Sequence, residues 1–578
     1  MIPRAVRRQC SPVLHPHQGT ILRTASFWRR LRPDQAQHCR RLSTVRQDGA
    51  SKRGIPSAST LILAASALLG AGAALGAAVA AKDSQSTLKH GLAPYASKHE
   101  MIKVERLHLN AQAAHKIAHE LGENCVTFDG EAIEAHSQSE WSSINTPNRP
   151  VAIVYPHSTE HVSRIAQICS ERAVPMVPYG AGSSVEGNFS SPHSGICVDF
   201  TFMDRIIAFH PDDMDVVVQP GVNWMDLNTR IREHGLFLPL DPSPTATIGG
   251  MVSTNCSGTN AFRYGTMKDW VINVTVVLAD GRVVKTRQRP RKSSAGYNLT
   301  SLFVGAEGTL GFVTEITLKL APIPEHTGVA AVSFPTTSSA TMAAVKLIRS
   351  GIQLGALEIM DAVQMGILNK HGSQLVKQTK WDEMPTLLLK FSGTRKGVQE
   401  DISRTRDITA SCNAATFRFA RNKTEEAALW AARKEALWTM VSIQPEGHKV
   451  WSTDVAVPIS RLGEIIAASQ TDANKLGLFN SIVGHVGDGN FHQSLFYEST
   501  NEKQKQMVSD HVHAMVDRAV AMDGTVSGEH AIGLGKKDCL ITELGEDTID
   551  LMRTVKAAVD PKWIMNPGKV FDLQRSSR

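Results

Sequence analysis

The sequence predicts an α+β protein of two large units behind a separate leader. From residue 149 to residue 321, short β-rich runs alternate with Gly/Pro turns and only one or two helical stretches. From 324 to 480, long helical stretches take over. The chain has 578 residues, 42% of them hydrophobic, which is core material for several domains and excludes global disorder.

The leader comes first. Residues 1–58 carry twelve basic side chains, eleven Arg and Lys52, against two acidic ones, Asp34 and Asp48, a net +10. The whole chain is only +7, so the other 520 residues carry −3, and no nucleic-acid partner is expected. An Arg-rich, acid-poor stretch with interspersed Ser, Thr and Gln reads as a mitochondrial presequence, a plain basic tail being the alternative. Residues 60–81, TLILAASALLGAGAALGAAVAA, follow without a charge. At ~1.5 Å per residue they would span ~33 Å, against about 30 Å for a hydrocarbon core. A transmembrane segment is expected there, with a buried soluble helix as the alternative, and chance accounts for Gly72-x-x-x-Gly76 in so Ala/Gly-rich a run. Arg before an apolar stop places the body on the intermembrane-space side of the inner mitochondrial membrane. Eight scattered cysteines with no Cys-x-x-Cys spacing read as free thiols, not as a disulfide framework or a thiolate zinc site.

Residues 90–145 are expected to form a helical extension. VAIVYPHS (151–158) and PMVPYG (175–180) read as strands around an amphipathic helix at 159–172. VVVQPGV (216–222) and VINVTVVLADGRVV (271–284) follow, the latter with an Asp280-Gly281 hairpin signal. Glycine-rich loops punctuate this region. In GAGSSVEGN (180–188), Gly180, Gly182 and Gly187 let backbone amides converge while Ser183 and Ser184 add hydroxyls, the donors a pyrophosphate needs. The spacing fits neither a Rossmann fingerprint nor a Walker loop, so taken alone an ordinary turn is an equal reading. DPSPTATIGGMVSTNCSG (241–258) and GAEGTLG (305–311), the latter before the strand FVTEITLKL (312–320), repeat the pattern.

Together, PYGAGSSVEGN, TIGGMVSTNCSG and GAEGTLGFVT resemble the FAD-binding domain of the vanillyl-alcohol-oxidase/p-cresol-methylhydroxylase superfamily. The resemblance implies a two-subdomain FAD-binding domain over 146–323. It implies that Tyr179, Gly180, Ala181, Gly182, Ser183, Ser184, Gly187 and Asn188 wrap the pyrophosphate. Pro242, Thr247, Gly249, Gly250, Asn255 and Gly258 would line the isoalloxazine and ribityl path, and Glu307, Gly308, Gly311 and Val313 the adenine side. Some relatives attach FAD through a His; the first loop has none, so non-covalent FAD is expected.

In the second unit, TEEAALWAARKEALWTMVSI (424–443) reads as one helix with Leu429, Ala432 and Leu437 on one side and Arg433 as an ordinary helix-surface arginine. GHVGDGNFH (484–492) sets His485 and His492 about a Gly/Asp/Asn turn, and a strand–turn–strand would bring both imidazoles to one point. SGEHAIGLGKK (527–537) adds Glu529 beside His530 in a Gly-flanked loop. Each histidine alone reads as a hydrogen-bonded structural residue. Two imidazoles and a carboxylate together suit a catalytic metal site with open positions, non-haem iron included.

Behind a flavin domain, this constellation resembles the metal-dependent D-2-hydroxyacid dehydrogenases, and the chain with its leader resembles the cytochrome-linked D-lactate dehydrogenases of fungal mitochondria. The resemblance covers about residues 90–578. It implies an α+β substrate- and metal-binding cap domain over 324–530, then a segment, 531–578, that carries DPKWIMNPGKVF and Asn566 back to the cofactor. It implies oxidation of (R)-lactate to pyruvate, with hydride passing to FAD and electrons to cytochrome c. A divalent metal, zinc or manganese, would sit on His485, His492 and Glu529; His530 would be the general base, and Arg433 would grip the substrate carboxylate. Two competing readings are a D-2-hydroxyglutarate or other D-2-hydroxyacid dehydrogenase and a non-catalytic FAD- or metal-binding scaffold. Relatives acting on the diacid place Asn two residues after the second metal His; Ser494 stands there and favours a monocarboxylate.

Overall fold

The computed structural model describes residues 98–573, apart from Glu140 and Ser143. The leader at 1–58 and the apolar stretch at 60–81 lie outside the described residues. No helix among the described residues is long and apolar enough to cross a membrane.

Strands β1 (Val126–Thr127), β2 (Ala152–Val154), β3 (Met176–Tyr179) and β4 (Ile196–Asp199) form a sheet in the order β1–β2–β4–β3. β4 runs parallel to both β2 and β3. The helix Thr159–Glu171 joins β2 to β3; it starts where Ser158 accepts from the His161 amide and buries Val162, Ile165, Ala166, Ile168 and Cys169, three and four apart. The stretch read as a helical extension is not helical throughout. Between helices Lys98–Leu121 and Gly130–Ala135 it supplies β1, whose Val126 pairs with Val154.

β5 (Ile206–His210), β6 (Asp215–Val218), β7 (Leu236–Phe237), β8 (Val271–Val277), β9 (Val283–Lys285), β10 (Phe312–Lys319) and β11 (Ala321–Pro322) follow. Five of them form an antiparallel sheet, β5–β6–β10–β8–β9, while β7 pairs with β11. Asp280-Gly281 closes the β8–β9 hairpin; Gly281 sits at φ +86° and its carbonyl accepts from Ser163 Oγ at 2.6 Å, which seats the turn on the helix Thr159–Glu171. The C-terminal stretch returns to the first sheet. Met176 N donates to Ile564 O and Asn566 N to Met176 O, each at 2.7 Å, covering the free edge of β3.

The second unit is built on β12 (His326–Ser333), β13 (Leu354–Met360), β14 (Thr386–Gly393), β15 (Thr416–Phe419), β16 (His448–Ser452), β17 (Val455–Ala456), β18 (Asn480–Gly484) and β19 (Asn490–Glu498). Their order is β15–β12–β14–β13–β18–β19–β16, with β17 also on β19. Alternation sorts the strands onto two cores. Val332, Leu357, Ile359, Leu389, Ile482 and Phe491 point to one, whereas Ala331, Ala356, Met360 and Leu388 join Leu429, Trp430 and Ala432 in the other.

The stretch 424–443 is two helices, Lys423–Lys434 and Ala436–Ser442, meeting at Glu435. The Glu435 carboxylate accepts from the amide and hydroxyl of Ser373, at 2.9 and 2.7 Å. Beyond this break Leu437 leaves the face of Leu429 and Ala432 and is 44% exposed.

The turn between β18 and β19 depends on Gly489, at φ +75°, where a Cβ would lie 2.2 Å from the Val457 carbonyl oxygen. Gly489→Ala should cost at least ~1–2 kcal/mol from the left-handed backbone alone. A urea midpoint equal to that of the wild type would show that the turn relaxes freely.

Candidate active site

One cavity of about 510 Å³ is lined at one end by the glycine-rich loops and at the other by side chains of the eight-stranded sheet together with Glu529 and His530. Three features shape the loop end for a phosphate-bearing ligand. Among the described residues, the amides of 181–184 donate to no protein acceptor, as a nest for an anion requires. Thr247 Oγ1 is buried and without a hydrogen-bond partner. A Cβ on Gly180 would lie 2.8 Å from that same atom, so a side chain there would close the cradle.

At the other end, sheet register assembles the polar cluster. β19 lies against β18 with His492 opposite Val483, so His492 and Ser494 share the face of the sheet that packs on the helix Lys423–Lys434. His485 begins the turn after β18, and its ring centroid lies 5.4 Å from that of His492. Oε1 of Glu529 is 3.1 Å from His485 Nε2 and 3.3 Å from His492 Nε2. The three ligand atoms fall within 4.8 Å of one another, a spacing one cation can bridge. Oε2 of Glu529 accepts from Ser257 Oγ and, at 3.1 Å, from Gly258 N, which ties this carboxylate to the loop that follows the helix Ile248–Thr254, within the stretch read from sequence as the glycine-rich loop 241–258. His530 stacks on His492 with centroids 5.0 Å apart and planes at 13°.

The electrostatics favour a positive charge at the cluster. Burial opposes protonation of His485, yet Glu358 and Glu529 hold its pKa well above the usual imidazole value. Burial would raise Glu529, but His485 and His492 hold it well below the ordinary carboxylate value. His530 differs: burial takes it down to about 4 despite Asp454, so at neutral pH its imidazole is unprotonated. Its Nδ1 is buried without a partner.

A model described as "FAD binding domain" matches residues 150–287, and one described as "FAD linked oxidases, C-terminal domain" matches 323–570. The mitochondrial D-lactate dehydrogenase (cytochrome) of Arabidopsis thaliana is 43% identical over 450 residues, 78% of each chain. That of Saccharomyces cerevisiae is 44% identical over 448 residues, 76% of each. The chain belongs to the D-lactate dehydrogenase family of FAD-linked oxidases. Its fold is shared by p-cresol methylhydroxylase with substrate bound, at TM-score 0.68 and 18% identity over 81% of this chain and 98% of that one. The 4-ethylphenol oxidase of Gulosibacter chungangensis gives 0.68 at 16% identity, over 82% and 98%.

Within this FAD-linked oxidase frame, Tyr179, Gly180, Ala181, Gly182, Ser183, Ser184, Asn188, Pro242, Thr247, Gly249, Gly250, Gly258, Glu307, Gly308, Gly311, Val313 and Asn566 all line the cavity. So do Arg433, His485, His492, Glu529 and His530. Gly187 and Asn255 do not. Gly187 turns against the Ile144 carbonyl oxygen and the Leu534 side chain. Asn255 ends the helix Ile248–Thr254 at φ +51°, and its Oδ1 accepts from Thr266 Oγ1 and Lys268 N. Glu307 also braces: its carboxylate accepts from the amides of Ile532 and Gly533 and from Asn188. Arg433 is not a surface arginine; its side chain is 13% exposed and its Nε donates to Glu358 Oε2 at 2.7 Å.

Two residues of the site escaped the sequence reading. Glu358 is a lone acid in the otherwise apolar strand LGALEIM, and that isolation was the available signal. Asp454 is 1% exposed; Oδ2 accepts from Glu529 N (2.9 Å), His530 N (2.8 Å) and Ser527 Oγ (3.0 Å), and Oδ1 from Asn490 Nδ2 (2.8 Å). Burial would raise it, but His530, Lys536 and His492 hold it well below the usual carboxylate range. Asp454→Ala strands these donors and should destabilise the fold by about 3–5 kcal/mol. Guanidinium unfolding measures this, and a change below ~1 kcal/mol would mean that water replaces the carboxylate.

Proposed function

We propose that the protein is an FAD-dependent D-lactate dehydrogenase that oxidises (R)-lactate to pyruvate and delivers the electrons to cytochrome c. One observation carries the reading: the amide-lined cradle and the His485–His492–Glu529 cluster, with His530 and Arg433, open into the same cavity. The names of the relatives, D-lactate dehydrogenase (cytochrome), support the substrate and the acceptor. A body carrying −3 outside the leader also suits a cationic electron acceptor.

The free amides of 181–184 and Thr247 Oγ1 fit non-covalent FAD, and the N,N,O donor set fits zinc or manganese. FAD supplies the hydride acceptor, and a divalent ion on His485, His492 and Glu529 supplies the Lewis acidity that eases loss of the α-hydroxyl proton. Arg433 binds the substrate carboxylate: with Nε on Glu358, neither Nη group has a hydrogen-bond partner among the described residues. His530 takes the hydroxyl proton on an imidazole that burial keeps neutral and whose Nδ1 engages no protein group. Ser494, at the position where relatives acting on the diacid carry Asn, lines the same cavity as Arg433, which favours a monocarboxylate. Lys434 also lines the cavity and is the cation a second carboxylate would meet, so (R)-2-hydroxyglutarate belongs in the same test.

Under anaerobic conditions (R)-lactate should bleach the flavin absorbance and (S)-lactate should not; faster bleaching by (R)-2-hydroxyglutarate would reassign the substrate, and absence of flavin would restore the scaffold reading. His530→Ala should retain FAD and metal while flavin reduction slows by ~10²–10⁴-fold; an unchanged rate would remove His530 as the base.

The location follows from the leader. The basic stretch 1–58 directs the chain to the mitochondrion, where relatives named mitochondrial reside, and the uncharged stretch 60–81 anchors the body on the intermembrane-space face of the inner membrane. After alkaline carbonate treatment of mitochondria the protein should stay with the membrane pellet. Release into the supernatant, with 60–81 still attached by mass spectrometry, would overturn the anchor.

A further inference from the structure

Glu358 stands behind the site. It is 1% exposed and lines no part of the cavity. It lies between Ala356 and Met360 on the face of β13 that packs against the helix Lys423–Lys434. The ladder between β13 and β18 pairs Met360 with Val483 and Ile359 with Gly484, so its next step sets Glu358 against His485. The two oxygens divide accordingly: Oε1 meets His485 Nδ1 at 2.9 Å and Oε2 accepts from Arg433 Nε at 2.7 Å.

We propose that Glu358 is a positioning residue that couples the cation site to the substrate-carboxylate anchor by accepting His485 Nδ1–H and Arg433 Nε–H at once. The inference rests on the function proposed above and assigns the coupling within it. With the hydrogen fixed on Nδ1, the lone pair of His485 is at Nε2, the atom 3.1 Å from Glu529 and directed into the ligand cluster. With Nε engaged, the guanidinium is locked in rotation about its stem and offers its Nη fork in one orientation. Both demands are for acceptors. A carboxylate has one at each oxygen, whereas an amide of the same shape has one acceptor and one donor.

Glu358→Gln separates this from a merely structural buried ion pair. If its oxygen stays on Arg433, its NH₂ faces His485 Nδ1 and selects the tautomer with hydrogen on Nε2, which cannot ligate. If its oxygen turns to His485, its NH₂ opposes Arg433 Nε–H and the anchor loosens. The experiment uses FAD-loaded enzyme stripped with chelator and titrated with Mn²⁺ by electron paramagnetic resonance, then steady-state kinetics with (R)-lactate at saturating Mn²⁺. The variant should keep its flavin absorbance and show either a ~10–100-fold weaker Mn²⁺ affinity or a KM raised at least tenfold with kcat less affected. Glu358→Leu, without any acceptor, should show both. Mn²⁺ affinity and KM both equal to wild type in Glu358→Gln, whatever its melting temperature, would overturn the coupling. Wild-type enzyme that binds no Mn²⁺ and is not bleached by (R)-lactate would instead remove the functional reading on which the coupling depends.

Discussion

Carboxylates withdrawn from water must be met by donors, and buried Glu358 and Asp454, with the partly buried Glu529, hold the histidines and Arg433 at the cluster end of the cavity in place. Asp454 gathers the amides of Glu529 and His530 and so sets the backbone of the loop that carries both. Glu529 then gives one oxygen to two imidazoles and the other to Ser257 and Gly258. Glu358 fixes His485 from behind and reaches the helix that carries Arg433. Donors and acceptors therefore run without interruption from the helix Lys423–Lys434 through the sheet to a loop of the flavin-side unit. Removing any one acceptor leaves buried donors without partners, which is costlier than the net worth of the bonds lost.

Much of this was legible because special backbone conformations and ligand chemistry leave marks in composition. Gly182, Gly187, Gly258 and Gly308 all adopt positive φ, and their loops stood out for their glycines. Composition does not say which glycine faces a ligand and which braces a neighbour, and the resemblance that implied the cofactor residues did not separate Gly187 and Asn255, which lie off the cavity, from those that line it. His485, His492, Glu529 and His530 were legible as polar side chains in glycine-flanked turns, where a purely structural need for two imidazoles and a carboxylate is small.

Sequence distance hid the rest. Glu358 meets Arg433 75 positions away and His485 127 positions away, a meeting fixed by the order β13–β18–β19 and by no local spacing. The single helix expected at 424–443 failed for the same reason. Glu435 has good helical propensity, and the break occurs where its carboxylate accepts from Ser373, 62 residues earlier in the chain. β1 inside the expected helical extension is again a long-range effect: two residues become strand because Val154 offers them an edge.

The two ends of the cavity are joined mechanically as well as spatially. Ser257 and Gly258 lie on the loop that follows the helix Ile248–Thr254, whose Gly249 lines the cavity beside Thr247, and the carboxylate they hold is the one both imidazoles share. A shift of that loop relative to the sheet would draw Oε2 away from its donors and, through the rigid carboxylate, move Oε1 relative to His485 and His492. On the function proposed above, with His530 as the base and the flavin ring along the residues of 242–258, the donor carbon would have to lie between them within near-attack distance, about 3–3.5 Å. A single carboxylate spanning both walls makes that separation a property of covalent geometry and leaves little of it to the relative motion of two units.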